Sequence, residues 1–150
     1  MKPYQQQNDI LDSPVEWVNN HIRDYVESDG RKGHDWRGYP TLLLTTLGRK
    51  SGLWRRTALI YGTDDQDYIV IASNGGSAAN PLWYLNLAEE PQVEVQVGPE
   101  IFAARAVEAT GDEKERLWRV MAGIFPTYDK YRVTAAKRGR DIPLIVLKRQ

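Results

Sequence analysis

The residue types best suited to binding an anion are concentrated in one short stretch of the chain. An apolar run from Leu42 to Leu47 leads into a loop with a glycine at each end, and the residues that could contact an anion are Arg49, Lys50, Ser51, Gly52 and Arg55. Glycine permits backbone conformations closed to other residues, so cations, a hydroxyl and N–H groups can converge on a phosphate or on carboxylates. The spacing is not that of a P-loop, and the stretch alone favours a simpler interpretation, a hairpin turn with solvated charges.

A second loop of small residues follows a later apolar strand. It consists of Ser73, Asn74, Gly75 and Gly76, and it leads to a helix predicted to be capped by Asn80. N–H groups in such a loop can hold the carbonyls of a planar ring or a phosphate. On its own, the loop is better explained as an ordinary strand-to-helix connection.

Tyr128 and Tyr131 have a spacing that suits hydrogen-bond or proton chemistry. They are three residues apart, shortly after Phe125-Pro126, and they share one face if the segment is helical. Tyrosine can stack on a flat ligand and can donate or accept a proton. Packing with the hydroxyl groups directed to solvent explains the pair equally well.

The composition excludes or disfavours several kinds of site. The chain has no cysteine, and its two histidines, His21 and His34, give poor support for a metal site or a Ser-His-Asp triad. Its formal net charge is zero, which disfavours nucleic acid as a partner. Neither a signal peptide nor a membrane-spanning run is predicted. We therefore expect a bound cofactor to supply any chemistry.

The elements that must position these residues are short strands and a few helices. Residues 1–11 are polar and predicted to be flexible, a first helix is predicted to begin near Ser13, and residues 33–40 are predicted to form a loop. The predicted strands are Thr41–Leu47, Leu53–Tyr61, Tyr68–Ala72, Gln92–Val97, Glu100–Val107 and Ile142–Leu147. Further helices are predicted after Asn80, after a capping-box signature that begins at Thr110, and at Asp129–Lys137.

Short turns join these strands in pairs rather than as βαβ repeats. This arrangement favours an antiparallel, partly closed barrel or curved sheet with peripheral helices. We therefore predict one α+β, mainly β domain over residues 1–150.

Six segments taken together resemble the deazaflavin-dependent nitroreductase family of actinobacteria, small reductases that use the reduced deazaflavin coenzyme F-420. The segments follow the family's order: Leu44–Gly52 with Arg55, Ala72–Gly76, Asn80–Leu87, Val93–Gly98, Pro126–Tyr131 and Ile142–Leu147. One such motif is weak, whereas six in register are specific.

The resemblance implies a split β-barrel related to FMN-binding reductases. It implies that the loop from Gly48 to Gly52, together with Arg55, binds the phosphate and glutamate tail of F-420. The residues implied to line the coenzyme's ring or its pocket are Ala58, Ile60, Ser73, Asn74, Gly75, Gly76 and Trp83. Tyr128 and Tyr131 would lie over the ring on the substrate side as the catalytic residues, and no metal is implied.

The chain departs from the family pattern at four of these positions or next to them. Ala58 stands where many members carry proline, and Asn74 where many carry lysine or a larger residue. Ile60 and Phe125 replace two tyrosines of the member that reduces nitroimidazoles, which disfavours that substrate. We expect hydride transfer to an electron-poor acceptor, such as a quinone, a coumarin-like lactone, an enone or a nitro compound, with Tyr128 bound to the acceptor's oxygen.

Two other functions stay open at this point. One is an FMN-dependent oxidoreductase of the wider split-barrel group, and the other is a non-catalytic carrier of a flavin-like or apolar ligand. The sequence predicts a cytoplasmic location and leaves open a peripheral association with the inner membrane. It does not predict the oligomeric state.

Overall fold

The computed structural model describes residues 16–150, in which helices surround one antiparallel sheet. The helices are α1 (Glu16–Glu27), α2 (Leu82–Glu89), α3 (Gly111–Ile124) and α4 (Thr127–Lys137). The strands are β1 (Asp35–Trp36), β2 (Tyr39–Leu47), β3 (Trp54–Ile60), β4 (Gly62–Asp64), β5 (Asp67–Ile71), β6 (Gln92–Val97), β7 (Glu100–Glu108) and β8 (Leu144–Arg149). The predicted flexible segment 1–11 and the predicted helix start near Ser13 lie outside the described residues.

The sheet follows the order β1-β2-β6-β7-β8-β5-β4, and β3 pairs with the other side of β2. All of these pairings are antiparallel, as the short turns predict. The sheet curls into a half-barrel, and the four helices lie at its periphery. The predicted fold class is therefore confirmed.

Strand β2 is buried on both of its faces, which explains why its sequence is a continuous apolar run. On one face, Leu42 and Leu44 join the main core, and Trp83 and Leu87 of α2 pack against the same cluster. On the other face, Leu43 packs against Ile22 and Tyr25 of α1. Since alternate residues of a strand point to opposite faces, one strand holds α1 and α2 on opposite sides of the sheet.

The predicted loop over residues 33–40 is wrong, because this segment contains a tight hairpin. Strand β1 pairs with the start of β2, and the two-residue turn between them is formed by Arg37 and Gly38, which have φ of 53° and 88°. Both turn residues are left-handed, as a type I′ turn requires. The Gly38 N–H donates to Oδ1 of Asp35 at 2.6 Å. Arginine is an unusual first residue for a type I′ turn, so the sequence did not predict this hairpin.

The side-chain capping hydrogen bonds predicted for α2 and α3 are not formed, although both helices are present. The cap position of α2 is Pro81, and the side chain of Asn80 instead accepts a hydrogen bond from Arg140 at 2.7 Å. Thr110 occupies the cap position of α3 but makes no capping hydrogen bond with its side chain. Pro143 lies just before β8, so it precedes the strand start, one of the two positions that its missing N–H allows.

Candidate functional site

Two pockets contain most of the predicted site residues. The first, here called the cationic pocket, has a volume of about 240 Å³. It is lined by Gly48, Arg49, Lys50, Ser51, Arg55, Leu82 and Asn86. Within residues 16–150, none of its three cations is in an ion pair with a carboxylate. The pocket therefore presents positive charge that no described acidic side chain neutralises.

The loop of the cationic pocket is closed by its own backbone. The Gly48 N–H donates to the Leu53 carbonyl and the Gly52 N–H donates to the Gly48 carbonyl, each at 2.8 Å. A Cβ on Gly48 would lie 2.5 Å from Ser51 Oγ and 2.9 Å from the Leu53 carbonyl oxygen. A glycine is therefore required at position 48, because the rest of the loop lies too close to leave room for a side chain. Gly52 is required by its φ of 71° and does not line the pocket.

Asn86 of α2 attaches this loop to the sheet, and sequence reasoning missed it. Its Oδ1 accepts hydrogen bonds from the backbone N–H of Arg49 at 3.2 Å and from Nη1 of Arg49 at 3.3 Å. Its Nδ2 donates to Oγ1 of Thr46 at 3.3 Å, and the residue is buried. Asn86 thus fixes the guanidinium of Arg49. The available signal was one amide among the apolar residues of the helix Leu82–Glu89.

The register of β2 and β3 separates the two arginines that follow the loop. Arg55 pairs with Thr46 and Arg56 pairs with Thr45, so the two side chains lie on opposite faces of the sheet. Only Arg55 lines the cationic pocket, and its Nε lies near Gly48. The alternation of strand residues therefore selects Arg55 as the anion ligand candidate.

The second pocket, here called the aromatic pocket, has a volume of about 360 Å³. Its lining residues are Trp17, Val18, His21, Trp36, Thr41, Ala58, Leu59, Ile60, Ile71, Ser73, Gly75, Phe125, Tyr128 and Tyr131. None of them is Asp, Glu, Lys or Arg. Apolar walls with a few polar groups are the usual surroundings of a flat organic ligand.

Arg140 holds the loop that forms one wall of the aromatic pocket, and it too was missed. Its guanidinium donates to the carbonyls of Ala72 (3.2 Å) and Ser73, and to Oδ1 of Asn80. Only 8% of Arg140 is exposed, and burial lowers the pKa of its guanidinium. These hydrogen bonds join residues that are 60 to 68 positions apart, so no local sequence pattern predicts them.

The loop held by Arg140 contains consecutive left-handed residues. Asn74, Gly75 and Gly76 have φ of 47°, 63° and 78°. Gly75 faces open space in the pocket, whereas a Cβ on Gly76 would lie 2.9 Å from the Tyr131 carbonyl oxygen. Gly76 thus lets the loop pack against α4. Asn74 donates to Ser77 Oγ and to the Ala79 carbonyl, both at 2.9 Å, so its side chain stabilises the loop itself.

Tyr128 stands at the wall of the aromatic pocket in a network of rings. Its ring centroid lies 4.9 Å from that of Phe125 and 6.4 Å from that of Trp118. Tyr128 is 5% exposed, and burial raises the pKa of its phenol well above the usual range. The side chain is therefore a neutral hydrogen-bond donor. Tyr131, one turn later, is half-buried and also lines the pocket.

The structure thus places the sequence-predicted site residues in three groups. The cationic pocket contains Arg49, Lys50, Ser51 and Arg55. The aromatic pocket contains Ala58, Ile60, Ser73, Gly75, Tyr128 and Tyr131. Neither pocket is lined by Gly52, Asn74, Gly76 or Trp83. The first three shape the loops, and Trp83 packs against the main core rather than lining either pocket.

Two further findings concern what residues 16–150 lack. No group of three or more His, Asp or Glu side chains among them could hold a metal ion. No helix in this part of the chain is long and apolar enough to cross a membrane.

Known proteins share this sequence pattern over nearly the whole chain. The family model for F420H(2)-dependent quinone reductase matches residues 17–149. The chain belongs to this family. An F420H(2)-dependent quinone reductase of Mycobacterium tuberculosis strain H37Rv is 35% identical over 139 residues, which cover 91% of this chain and 92% of that protein. The family, the reductase class and the dependence on coenzyme F-420 are confirmed.

Solved structures support the same assignment. An F420-H2 dependent reductase, FDR-A, matches with a TM-score of 0.66 at 33% identity and covers 73% of this chain and 94% of its own. A structure described as a domain-swapped dimer matches with a TM-score of 0.69 at 31% identity and covers 91% of this chain and 100% of its own. Both share the split-barrel fold with this quinone reductase family member.

The residues present fit coenzyme F-420. Its tail is anionic, and the cationic pocket offers three cations that no described carboxylate pairs with. Its ring is flat, and the aromatic pocket is apolar with a small polar wall at Ser73 and Gly75. FMN, the alternative cofactor, has a single phosphate and would leave part of the cationic surface unused.

Proposed function

We propose that this family member transfers a hydride from reduced F-420 to a quinone-type acceptor in the aromatic pocket. The observation that carries the proposal is the position of both pockets on β3. Arg55 near the start of the strand lines the cationic pocket, and residues 58–60 at its end line the aromatic pocket. Ile60 lies five residues along the strand from Arg55, or ~16 Å at about 3.3 Å per residue, and on the opposite face of this edge strand, so a ligand that reaches both pockets passes round the edge of the sheet. A ring with a long anionic tail suits this span.

The chain's own residues bind and orient in this proposal. Arg49, Lys50 and Arg55 bind the anionic tail with charge-assisted hydrogen bonds, and Ser51 adds a hydroxyl donor. Asn86 holds Arg49 in place before the coenzyme arrives. The bound coenzyme supplies the hydride. Ala58 and Ile60 present an apolar surface to the ring, and Ser73 and Gly75 present polar groups to its edge.

Tyr128 acts on the acceptor rather than on the coenzyme. Hydride addition to a quinone places negative charge on an oxygen, and a neutral phenol can donate a hydrogen bond to that oxygen. The buried and protonated Tyr128 meets this requirement at the pocket wall. Phe125 and Ile60 bring no hydroxyl to the same pocket, which favours a quinone over a nitroimidazole.

A titration beside a turnover assay tests the proposed function. Quenching of the coenzyme's fluorescence should give tight binding of F-420 and much weaker binding of FMN. Reduced F-420 with a soluble quinone should then be oxidised at a rate proportional to the protein concentration. Tighter binding of FMN would favour the FMN enzyme, and tight binding of F-420 without turnover of any acceptor class would favour the carrier. A cytoplasmic location and contact with the inner membrane stay predictions.

A further inference from the structure

The aromatic pocket contains an imidazole that the proposed function has not used. His21 of α1 lines this pocket with Tyr128 and Tyr131, and it is half-buried. The chain's other histidine, His34, does not line either pocket, and its Nε2 lies 2.8 Å from the hydroxyl of Tyr61. Of the two histidines, His21 therefore lies at the site and His34 provides a comparison away from it.

The fold fixes the orientation of the His21 ring. Its Nε2 lies 2.6 Å from the Gly33 carbonyl oxygen. A carbonyl only accepts, so Nε2 is the donor and carries a proton in either charge state. A Cβ on Gly33 would lie 3.1 Å from Cδ2 and 3.2 Å from Nε2 of His21, and Gly33 has a φ of +100°. The Cδ2–Nε2 edge thus faces the Gly33 loop, and Nδ1 is on the opposite edge.

Reduction of a quinone requires a proton as well as a hydride. Imidazole exchanges protons readily near neutral pH, whereas phenols hold theirs tightly there. Burial raises the pKa of Tyr128 further, which makes this phenol a poor source of a proton. Among the described residues that line the pocket, His21 is the side chain whose chemistry suits proton donation.

We propose that His21 is the general acid of the reaction, and this inference rests on the proposed function. The hydride pair forms the new bond to the acceptor, and the bond between Nδ1 and its proton breaks as that proton joins the acceptor oxygen that has gained charge. His21 is left neutral with its proton on Nε2, still bound to Gly33. It recovers a proton from solvent, and solvent also takes the proton that coenzyme oxidation releases.

Charged and titratable groups occur on the segments near His21, and β3, which packs against α1, carries Arg56. Its own helix carries Arg23 and Asp24, the loop that contains Gly33 carries Arg31 and Lys32, and β1 begins with Asp35. The facing helix α4 contributes the two tyrosines of the pocket. Cations and carboxylates occur on both nearby segments, so the pH profile has to be compared with that of a matched variant.

The test compares His21→Gln with His34→Gln. The glutamine amide can keep a donor directed to Gly33 while it removes the group that corresponds to Nδ1. With reduced F-420 and a soluble quinone, His21→Gln should lower kcat by ~10²-fold, the scale of a general acid, while the Kd for F-420 stays within twofold of the parent. His34→Gln should retain kcat within about threefold.

The pH dependence and chemical rescue separate proton transfer from a structural role. The parent's kcat should fall as pH rises, because the acid must be protonated to react. His21→Gln should lose this dependence, and added imidazole should restore part of its activity. Unchanged kcat in a folded His21→Gln variant, in a preparation whose parent is active, would overturn the inference. An inactive parent would instead contradict the proposed function.

A measurement on the parent protein needs neither turnover nor a folded variant at position 21. Long-range ¹H–¹⁵N spectra of histidine-labelled protein report which ring nitrogen carries the proton, and His34→Gln assigns the two signals. Neutral His21 should be the Nε2–H tautomer. In the presence of oxidised F-420, a soluble quinone should shift the Nδ1 signal of His21 and leave that of His34 unchanged. An Nδ1–H tautomer, or an unshifted Nδ1 signal, would contradict the assignment.

Discussion

The side chains proposed to bind the coenzyme and the acceptor depend on neighbours that are distant in sequence. Arg49 is placed by Asn86, 37 residues away, and the polar wall of the aromatic pocket by Arg140, 67 residues from Ser73. Sequence reasoning found the ligand candidates, because cations and glycines in one loop are a local pattern. It missed Asn86 and Arg140, because their partners are set only by the tertiary fold.

Lys50 should contribute strongly to coenzyme binding. It is exposed at the cationic pocket and has no ion-pair partner among the described residues. Lys50→Ala should weaken F-420 binding about tenfold or more, since a hydrogen bond to a charged group is worth ~1.5–3 kcal/mol. The measurement is a fluorescence titration at two salt concentrations, and the parent should show the steeper salt dependence. The exposed Lys148 provides the control, and equal affinities of the Lys50→Ala and Lys148→Ala variants would remove the loop from the site.

Tyr128 should affect turnover and leave coenzyme binding intact. Tyr128→Phe keeps the ring that packs against Phe125 and Trp118 and deletes the hydroxyl. Loss of one donor to a developing oxyanion costs ~10²-fold in kcat, so kcat/KM for a quinone should fall by about this factor. Tyr131→Phe should have a smaller effect if that residue mainly stacks on the ligand. A Tyr128→Phe variant that turns over like the parent would make the phenol a packing residue only.

At the scale of elements, the hairpin of β2 and β3 joins the two pockets, and its sequence predicted it well. The apolar run of β2 and the glycine loop are strong local signals, and the observed strands differ from the predicted ones by at most two residues at either end. The hairpin of β1 was missed because its turn contains Arg37 in a polar segment. Turn conformation is local, but it is encoded weakly when the usual Asn or Gly is absent from the first turn position.

Gly48 lies in the loop between β2 and β3, and we expect no residue with a side chain to be tolerated at this position. Gly48→Ala puts a Cβ 2.9 Å from the Leu53 carbonyl oxygen, so the loop must open. We expect a loss of ~1–3 kcal/mol in the free energy of unfolding and weaker F-420 binding.

Gly123→Ala is the matched control, because Gly123 lies inside α3 and a Cβ there meets nothing within 4 Å. That variant should be as stable as the parent or more so. Equal chemical-denaturation curves for the two variants would contradict the argument.

At the scale of the whole molecule, the segment after α4 determines the shape of the aromatic pocket. Arg140 follows the helix that carries both site tyrosines, and its guanidinium binds the carbonyls of the opposite wall. The predicted fold class was right, because strand pairs joined by short turns admit few topologies. The contact between the segment after α4 and the loop that contains Ser73 could not be predicted from the sequence. It depends on the buried guanidinium of Arg140, which donates hydrogen bonds to neutral oxygens.

Arg140→Met should therefore change both stability and binding. The carbonyls of Ala72 and Ser73 would lose their partner, which costs about 1–3 kcal/mol for a buried acceptor. Thermal unfolding should show a lower Tm, by roughly 2–4 °C per kcal/mol, and the affinity for F-420 should fall as the loop loosens. Arg138→Met, at an exposed neighbouring position, should match the parent in both measurements. A normal Tm in the Arg140→Met variant would refute the role assigned to this guanidinium.

The three cations of the cationic pocket, which no described carboxylate pairs with, also create a conflict between stability and coenzyme binding. Like charges in one small pocket repel each other, so the folded protein carries a strain that an anionic ligand relieves. Leu82 is 68% exposed, lines the same pocket and begins α2, where a carboxylate also interacts well with the helix dipole. Leu82→Glu should thus raise the Tm of the ligand-free protein and weaken F-420 binding. A selection for heat resistance alone would favour this substitution, and the chain would lose its coenzyme as it gained stability.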